Sequence, residues 1–338
     1  MNEIKNVNLS NKSNSMKKII VTGCAGFIGS AFSEFVLKKN MFDLVVGLDN
    51  LDSFYDVKTK KRNLTRLKKY TKFKFFNVDI RKVNQLEKID ENFDLCLHFA
   101  GMPGVIESVE NPSIYFQTNL TGTLNVLNFL HKINSKKIIF ASSSSVYKSE
   151  NNKPFHEDYS EILPLSPYGY SKMFGESLID VYCRNFEFDA VKLRLFSVYG
   201  PNMRPDLAIF KFTDLISKNK PVSIYGNGLS KRDYTYIDDV VDGILKSVLY
   251  LLNQKNICET INLGNAQPVS LKNVLDILSV KLSKEIVTIK FPNNACELET
   301  TFADISKAKK LLKYNPKTDI LTGIDKFIDW YLRISDRT

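Results

Sequence analysis

The segment Thr22-Gly23-Cys24-Ala25-Gly26-Phe27-Ile28-Gly29 follows the β-branched run Ile19-Ile20-Val21 and opens a stretch of helical period from Phe27 to Lys39. A strand that turns through glycines into a helix aims backbone amides and a helix N-terminus at one point, and the absent side chains let an anion approach closely. Gly23, Gly26, Phe27, Ile28 and Gly29 are therefore expected to cradle a dinucleotide pyrophosphate. A glycine triplet alone is weak evidence; the strand before it and the helix after it give it weight.

The rest of the first two hundred residues repeats the same alternation. Apolar runs at Leu44-Val45-Val46, Phe73 to Val78, Leu95 to Phe99, Lys137 to Phe140 and Val191 to Phe196 are separated by longer segments of helical period. Strands that are apolar on both faces and separated by helices predict a parallel sheet covered on two sides. The expected fold class is α/β, a Rossmann-type doubly wound parallel sheet with a smaller C-terminal substrate-binding lobe. Past Gly200 the alternation breaks into turns (Gly200-Pro201, Gly226-Asn227-Gly228) and helices opening at Asp238-Asp239, after Ser270 and near Gly323. We expect a polar, disordered tail over 1–15, a dinucleotide-binding domain over 16–200 and, over 201–338, mainly a substrate lobe interleaved with the sheet.

Composition excludes several classes. The 338 residues, 43% of them hydrophobic, are enough for a sizeable core. No apolar run reaches the roughly 18 residues that span a bilayer, and the N-terminus does not read as a cleaved leader, so a cytoplasmic protein with no membrane partner is expected. The net charge of +10 raises a nucleic-acid reading. The basic residues, however, are spread as Lys17-Lys18, Lys60-Lys61-Arg62 and Lys309-Lys310, without an aromatic-basic motif, and read as solvated surface. No nucleic-acid partner is expected. Cys24, Cys96, Cys183, Cys258 and Cys296 lack metal-ligand or disulfide spacing, so free thiols and no metal are expected. His98 ends a buried-strand pattern and reads as structural, and His156 lies in a polar loop.

Asp49 closes the second strand, 20 positions after Gly29. A carboxylate there accepts hydrogen bonds from a ribose diol and repels a 2′-phosphate, which favours NAD over NADP. Asp79, in Val78-Asp79-Ile80, stands either at the adenine edge or as an ordinary strand-end cap. Tyr168 and Lys172 are four apart and share one helix face; the pair follows the helix start Ser166-Pro167 and the serine run Ser142 to Ser145. A tyrosine acting as a base near neutrality must lower its pKa by about 3 units, a cost of about 4 kcal/mol. Two cations near 5 Å, the Lys172 ammonium and an oxidised nicotinamide, would each supply about 3 kcal/mol at an effective dielectric of about 20.

In order along the chain, the glycine turn, Asp49, His98-Phe99-Ala100-Gly101, Asn119, Ser143, Tyr168-Gly169-Tyr170-Ser171-Lys172 and Arg232-Asp233-Tyr234-Thr235-Tyr236-Ile237-Asp238-Asp239 resemble the extended short-chain dehydrogenase/reductases, and among them the NAD-dependent nucleotide-sugar epimerases. The resemblance covers the chain from about Lys17 to Leu332. It implies Ser143, Tyr168 and Lys172 as the catalytic group, Asn50, Asp79, Ile80, Phe99, Ala100, Gly101 and Asn119 as cofactor contacts, and Arg232 as a diphosphate contact. Tyr199-Gly200-Pro201-Asn202-Met203-Arg204-Pro205-Asp206-Leu207-Ala208 and Asp49 to Val57 look like the matching stretches of UDP-glucuronate 4-epimerases. That likeness assigns Arg204 to the sugar carboxylate, assisted by Ser197, Ser144 and Ser145, where the residues alone also allow a pair with Asp206 or another acid of the loop. It also assigns the helices over 111–131 and 167–185 to a homodimer interface, where their pattern alone also fits helices buried within a monomer.

The implied reaction is redox-neutral. Tyr168, assisted by Ser143, removes the C4 hydroxyl proton of a UDP-sugar while the C4 hydride passes to NAD+; the 4-keto sugar turns and takes the hydride back on its other face. Because a 4-keto uronate is a β-keto acid, Arg204 is also expected to hold its carboxylate away from the alignment that releases CO2. Three departures stand out. Met102-Pro103-Gly104 replaces the lysine that galactose epimerases carry after the His98–Gly101 segment. Gly104 to Ser108 is closer to the galactose type than to the uronate type. Cys296-Glu297 stands where a Gly-Asp commonly meets the nucleoside, which makes Glu297 the candidate ribose contact. UDP-N-acetylhexosamine or UDP-glucose epimerisation and uronate decarboxylation stay open, and a non-catalytic dinucleotide-binding protein is disfavoured by the intact Tyr168/Lys172 pair.

Overall fold

Along each apolar run, successive side chains point to opposite faces of the sheet, and each face buries them in its own core. Ile19, Val21, Val45, Leu95, Leu97, Ile139 and Val191 enter one core, while Ile20, Val46, Cys96, Ile138, Phe140 and Ala190 enter the other. The structure is a computed structural model that describes residues 17–148, 153–158, 163–292 and 298–335. The expected tail over 1–15, Cys296 and Glu297 lie outside the described residues.

The strands are β1 (Lys18–Thr22), β2 (Leu44–Asp49), β3 (Phe73–Asn77), β4 (Leu95–His98), β5 (Lys137–Ser143), β6 (Asp189–Leu195), β7 (Ser197–Tyr199), β8 (Val222–Tyr225), β9 (Lys231–Tyr236), β10 (Cys258–Leu263), β11 (Pro268–Ser270), β12 (Thr288–Phe291) and β13 (Thr300–Thr301). Seven of them form an all-parallel sheet in the order β10-β6-β5-β4-β1-β2-β3. The order reverses between β1 and β4. That is where a doubly wound sheet opens a crevice at its carboxyl strand ends. The glycine turn leads from β1 into α1 (Phe27–Lys38) at this reversal, and α2 (Val57–Leu67) packs beside α1.

The chain past residue 200 is richer in strands than its sequence pattern indicates. β9 binds β7, β11 and β13 in a small mixed sheet, and β8 pairs with β12. These strands are two to six residues long and range from the exposed β12 to the largely buried β9, so neither period 2 nor an apolar run marks them. β10 returns to the large sheet as its edge strand, and the Ile237–Asn253 helix packs on β5 and β6. Asp233, fully buried on β9, accepts hydrogen bonds from the amides of Asn265 (2.7 Å), Ala266 (3.0 Å) and Ala303 (3.0 Å) and so ties the loops of the C-terminal region to that strand.

The Pro167–Phe186 helix begins as its sequence suggests: the Ser166 hydroxyl accepts the Gly169 amide at 3.1 Å and Pro167 takes the first helical position. Gly175 allows it to lie close on β5, since a Cβ there would come within 2.6 Å of the Phe140 ring. The segment over 111–131 is a helix interrupted by a π turn at Phe116–Thr121. Cys24, Cys96, Cys183 and Cys258 are free thiols. Among the described residues no helix is long and apolar enough to cross a membrane.

His98 sits at the end of β4 with both ring nitrogens engaged, Nδ1 at 2.7 Å from the Thr22 hydroxyl and Nε2 at 3.0 Å from that of Thr123. Burial, helped by the nearby Lys172 ammonium, drops its pKa to about 3. A folded-state pKa below the unfolded value near 6.5 means that the unfolded chain binds the extra proton between the two values. The His98 contribution is therefore full above pH 6.5 and is lost on acidification, at up to about 1.4 kcal/mol per pH unit. Urea unfolding of wild type and His98→Gln between pH 7 and 5 is expected to show the steeper loss in wild type; parallel slopes would mean that His98 is protonated in the native state.

Candidate active site

One cleft of about 730 Å³ runs from the glycine turn, across the carboxyl ends of the sheet, to the small sheet. Its first end is built from backbone. Gly23 has φ +71°, and a Cβ on it would lie 2.7 Å from the Ala100 nitrogen; a Cβ on Gly29 would lie 2.3 Å from the Gly23 carbonyl oxygen. Only glycine fits either place. Gly26 caps α1 without a side-chain hydrogen bond, so the amides of the first turn face the cleft. Phe99, Ala100 and Gly101 form the opposite wall, held to the end of β1 by Phe99 N to Thr22 O (3.2 Å) and Ala100 N to the Thr22 hydroxyl (3.1 Å).

Asp49 lies at the rim of this cradle, mostly buried, its carboxylate accepting the amides of Ala25 (3.1 Å) and Leu51 (2.8 Å). Burial raises its pKa, against the Lys60 ammonium and those amides, which lower it. Lys60, from α2, donates to the Asp52 carbonyl at 2.8 Å and lines the cleft; as one of three consecutive basic residues it carries no distinctive sequence signal. Asn50, Asp79 and Ile80 also line this end. The Asp79 carboxylate is held by the Arg81 guanidinium at 2.6 to 3.1 Å, which lowers its pKa. The strand-end reading of Asp79 thus acquires a partner, Arg81, that the sequence analysis did not single out. The cradle, the uncapped helix start and the carboxylate closing β2 together fit a dinucleotide.

Asn119 differs from its expected place. Its amide is used within the chain, donating to the Met102 carbonyl (2.9 Å) and the Ser171 hydroxyl (2.8 Å) and accepting the Met102 amide (2.6 Å). It sits in the π turn beneath the cleft, which Thr118 lines instead, and clamps the wall after Gly101 to the Pro167–Phe186 helix. A sequence motif fixes the residue type but not which way the amide faces.

At the middle of the cleft stand Ser143, Ser144, Ser145, Tyr168 and Lys172. The β5 strand ends at Ser143, and the next three residues turn away in a 3-10 helix, with the Ser143 hydroxyl accepting the Ser145 amide at 3.1 Å. The Ser143 hydroxyl lies beside the Tyr168 phenol and favours its ionised form. Lys172 donates to the Ala141 carbonyl at 2.9 Å and lies 5.3 Å from the centre of the Phe140 ring. Burial lowers its pKa to about 8, against the Glu176 carboxylate. Without a nicotinamide's charge the Tyr168 phenol has its pKa raised, because burial outweighs the Ser143 hydroxyl and the Arg204 charge. Burial therefore disfavours the Tyr168 phenolate, against the chain's own charges.

Arg204 lines the cleft near Tyr168 and lies 5.8 Å and 6.0 Å from the ring centres of Phe54 and Tyr55. Its guanidinium is held in a two-point pair by the Asp206 carboxylate, at 3.1 and 2.6 Å. Ser197 of β7 lines the same region. At the far end, Arg232 projects from β9 with its Nη1 on the Lys231 carbonyl (3.0 Å), among Tyr225, Ser230, Tyr234 and Phe291. The Tyr225 and Phe291 rings, with centres 5.8 Å apart and planes tilted by 40°, offer an aromatic surface there that sequence reasoning missed because β8 and β12 went unread.

Residues 19–264 match the family described as the NAD dependent epimerase/dehydratase family. A UDP-glucuronate 4-epimerase of Thermodesulfobacterium geofontis is 40% identical over 314 residues, covering 92% of this chain and 95% of the relative. UDP-glucuronate 4-epimerase 4 of Arabidopsis thaliana is 36% identical and covers 93% of this chain and 75% of the relative. Among solved structures, the UDP-glucuronic acid 4-epimerase of Bacillus cereus in complex with UDP-glucuronic acid and NAD superposes with a TM-score of 0.87 at 34% identity, covering 94% of this chain and 99% of that one. On the extent of these matches and the doubly wound sheet beneath them, the chain belongs to the NAD dependent epimerase/dehydratase family.

Proposed function

We propose that this protein interconverts the C4 epimers of a UDP-sugar with bound NAD, the pair being UDP-glucuronate and UDP-galacturonate. The observation that carries the reading is that one cleft joins the glycine cradle, the Ser143–Tyr168–Lys172 group and Arg204. Relatives named UDP-glucuronate 4-epimerase and a structural neighbour holding UDP-glucuronic acid and NAD support it.

The residues divide the work by position. Gly23, Gly26, Phe27, Ile28 and Gly29 hold the pyrophosphate, Asp49 and Asn50 the ribose, Asp79 and Ile80 the adenine side, and Phe99, Ala100 and Gly101 the facing wall. Bound NAD+ supplies a reversible hydride acceptor and a positive charge near the phenol. Tyr168 takes the C4 hydroxyl proton and returns it, Ser143, beside the phenol, steadies the sugar oxygen, and Lys172 supplies a fixed cation and a wall contact. Asn119 acts as a positioning residue. Arg232 anchors the diphosphate at the far end, so the sugar can turn while the nucleotide stays fixed. Ser144, Ser145 and Ser197 line the sugar's path, and Glu297 is kept as the ribose candidate.

The Arg204–Asp206 pair supports two readings. A uronate carboxylate suits a guanidinium already arranged for a two-point carboxylate contact. A guanidinium already neutralised by its own loop equally suits a neutral sugar such as a UDP-N-acetylhexosamine. We take the first, with the relatives. We also propose a cytoplasmic homodimer supplying galacturonate for polysaccharide synthesis, joined through Leu124, Phe174, Val181 and Phe186, which leave apolar side chains exposed on the Gly122–Lys132 and Pro167–Phe186 helices.

Incubation with UDP-glucuronate and NAD+ is expected to give UDP-galacturonate, with the same final mixture reached from either sugar and no net NADH. Pentose and CO2 would make the protein a decarboxylase, and turnover of N-acetylhexosamines alone would favour the neutral-sugar reading. Tyr168→Phe should lower kcat by about 10²- to 10⁴-fold, with NAD binding retained; a loss below tenfold would remove Tyr168 from the proton transfer. Arg204→Ala should raise KM for the uronate or release pentose, and an unchanged KM and product ratio would assign Arg204 to its loop.

A further inference from the structure

Outside the cleft, α2 and the Ile320–Ser335 helix converge on a second hollow. Its lining is dominated by cations: Arg62, Arg66 and Lys69 from α2 and the turn after it, and Lys326 and Arg333 from the C-terminal helix. Asp329 is the one carboxylate among the lining residues, and Glu34, outside the lining, pairs with Arg66 at 3.1 Å. Among the described residues no carboxylate lies within ion-pair distance of Arg62, Lys69 or Arg333. Arg333 instead donates to the Asp329 backbone carbonyl at 2.9 Å.

Arg62 is the most strained member of this group. Its guanidinium lies 5.5 Å from the centre of the Trp330 ring, and its Nε is buried with no hydrogen-bond partner among the described residues. Burial and the neighbouring Arg66 charge oppose its ionisation, and the Asp56 carboxylate offsets them only in part. A buried donor without an acceptor and a cluster of like charges each cost stability. A single oxyanion in the hollow would relieve both at once, accepting the Nε hydrogen and screening the guanidinium and ammonium groups.

The hollow also touches the loop that carries Arg204. Pro201 and Asn202 form one wall, the Arg66 Nη1 donates to the Asn202 side-chain oxygen, and Asn202 holds a left-handed backbone at φ 66°. Two residues further on, Arg204 faces the cleft. Any ligand that draws Arg66 inward competes with its hold on Asn202.

We propose that this hollow is a second anion site, selective for phosphate-type oxyanions, whose occupancy is transmitted to Arg204 through the Arg66–Asn202 contact. The ligand is a diphosphate group, either free or carried by a nucleotide.

Trp330 is the chain's one tryptophan, so its fluorescence reports on this hollow directly. The protein is first saturated with NAD and UDP to fill the cleft, then titrated with inorganic pyrophosphate and, in a separate arm, with ATP at matched ionic strength. A saturable fluorescence change with pyrophosphate is expected, weakened about tenfold by Arg62→Gln and by Lys69→Glu, as the loss of one charged contact implies. Tighter binding of ATP would identify a nucleotide as the carrier, and equal binding would identify the phosphoryl groups alone. Pyrophosphate should also change KM for the sugar nucleotide in wild type but not in Lys69→Glu, whose exposed side chain leaves the Arg62–Trp330 stack in place. A flat titration, an equal response to chloride, or an unchanged affinity in both variants would overturn the proposal. The fluorescence arm does not depend on which sugar the enzyme turns over.

Discussion

The buried ion pair between Arg194 of β6 and Glu176 of the Pro167–Phe186 helix fixes the position of everything in the middle of the cleft. Its two contacts, Nε to Oε1 at 2.9 Å and Nη2 to Oε2 at 2.7 Å, are almost fully shielded from water, and the Ser142 hydroxyl of β5 donates to the same carboxylate. The helix is thereby tied to two strands at one point. Removing one partner of such a pair strands a charge in the interior at a cost of about 3–5 kcal/mol, so the helix has little freedom to slide. Tyr168, Lys172 and Glu176 recur every four residues on one helix face. Pinning Glu176 to the sheet therefore places Lys172 at the Ala141 carbonyl one turn earlier, and Tyr168 at the strand end another turn earlier. Gly175 allows this because no Cβ holds the helix off Phe140.

The two ends of the cleft are built on different physics. The dinucleotide end is backbone: glycines at positions where a Cβ would collide, a helix start and strand ends. The far end is a small sheet with little apolar patterning, held by Asp233, whose buried carboxylate gathers three amides from two separate loops. Arg232 precedes Asp233 on β9, so the residue that faces the cleft is positioned by its buried neighbour.

This division explains what could be read from the sequence. The large sheet was legible because strands buried on both faces are apolar along most of their length, as Ile19-Ile20-Val21 and Leu95-Cys96-Leu97 are. The helix carrying Tyr168 and Lys172 was legible from Ser166-Pro167. The small sheet and the β8–β12 pair were not: β8 and β11 are short and only partly buried, β12 is exposed, and their pairing depends on loops far away in sequence, so Tyr225 and Phe291 went unnoticed. Motif reading also fixes identities without orientations. Asn119 proved to clamp Met102 and Ser171, Asp79 to hold Arg81, and Arg204 to bind Asp206, each because a nearer partner outcompetes solvent. Asn202, which joins the basic hollow to the Arg204 loop, carries no motif signal beyond a turn.

The raised pKa of Tyr168 bears on how the proposed chemistry is controlled. Lys172 was expected to lower it, yet the ammonium is committed to the Ala141 carbonyl and the Phe140 face, and its own pKa is depressed by burial. Desolvation of the phenolate is the larger effect. In the protein's own field, then, the phenol is an acid and not a base. The Ser143 hydroxyl and Arg204 pull in the other direction without reversing the balance, and a further positive charge near the phenol would favour the phenolate. On the proposed reading a bound oxidised nicotinamide would supply that charge and so would link proton removal by Tyr168 to the presence of a hydride acceptor. A sugar that entered without one would keep its C4 hydroxyl intact.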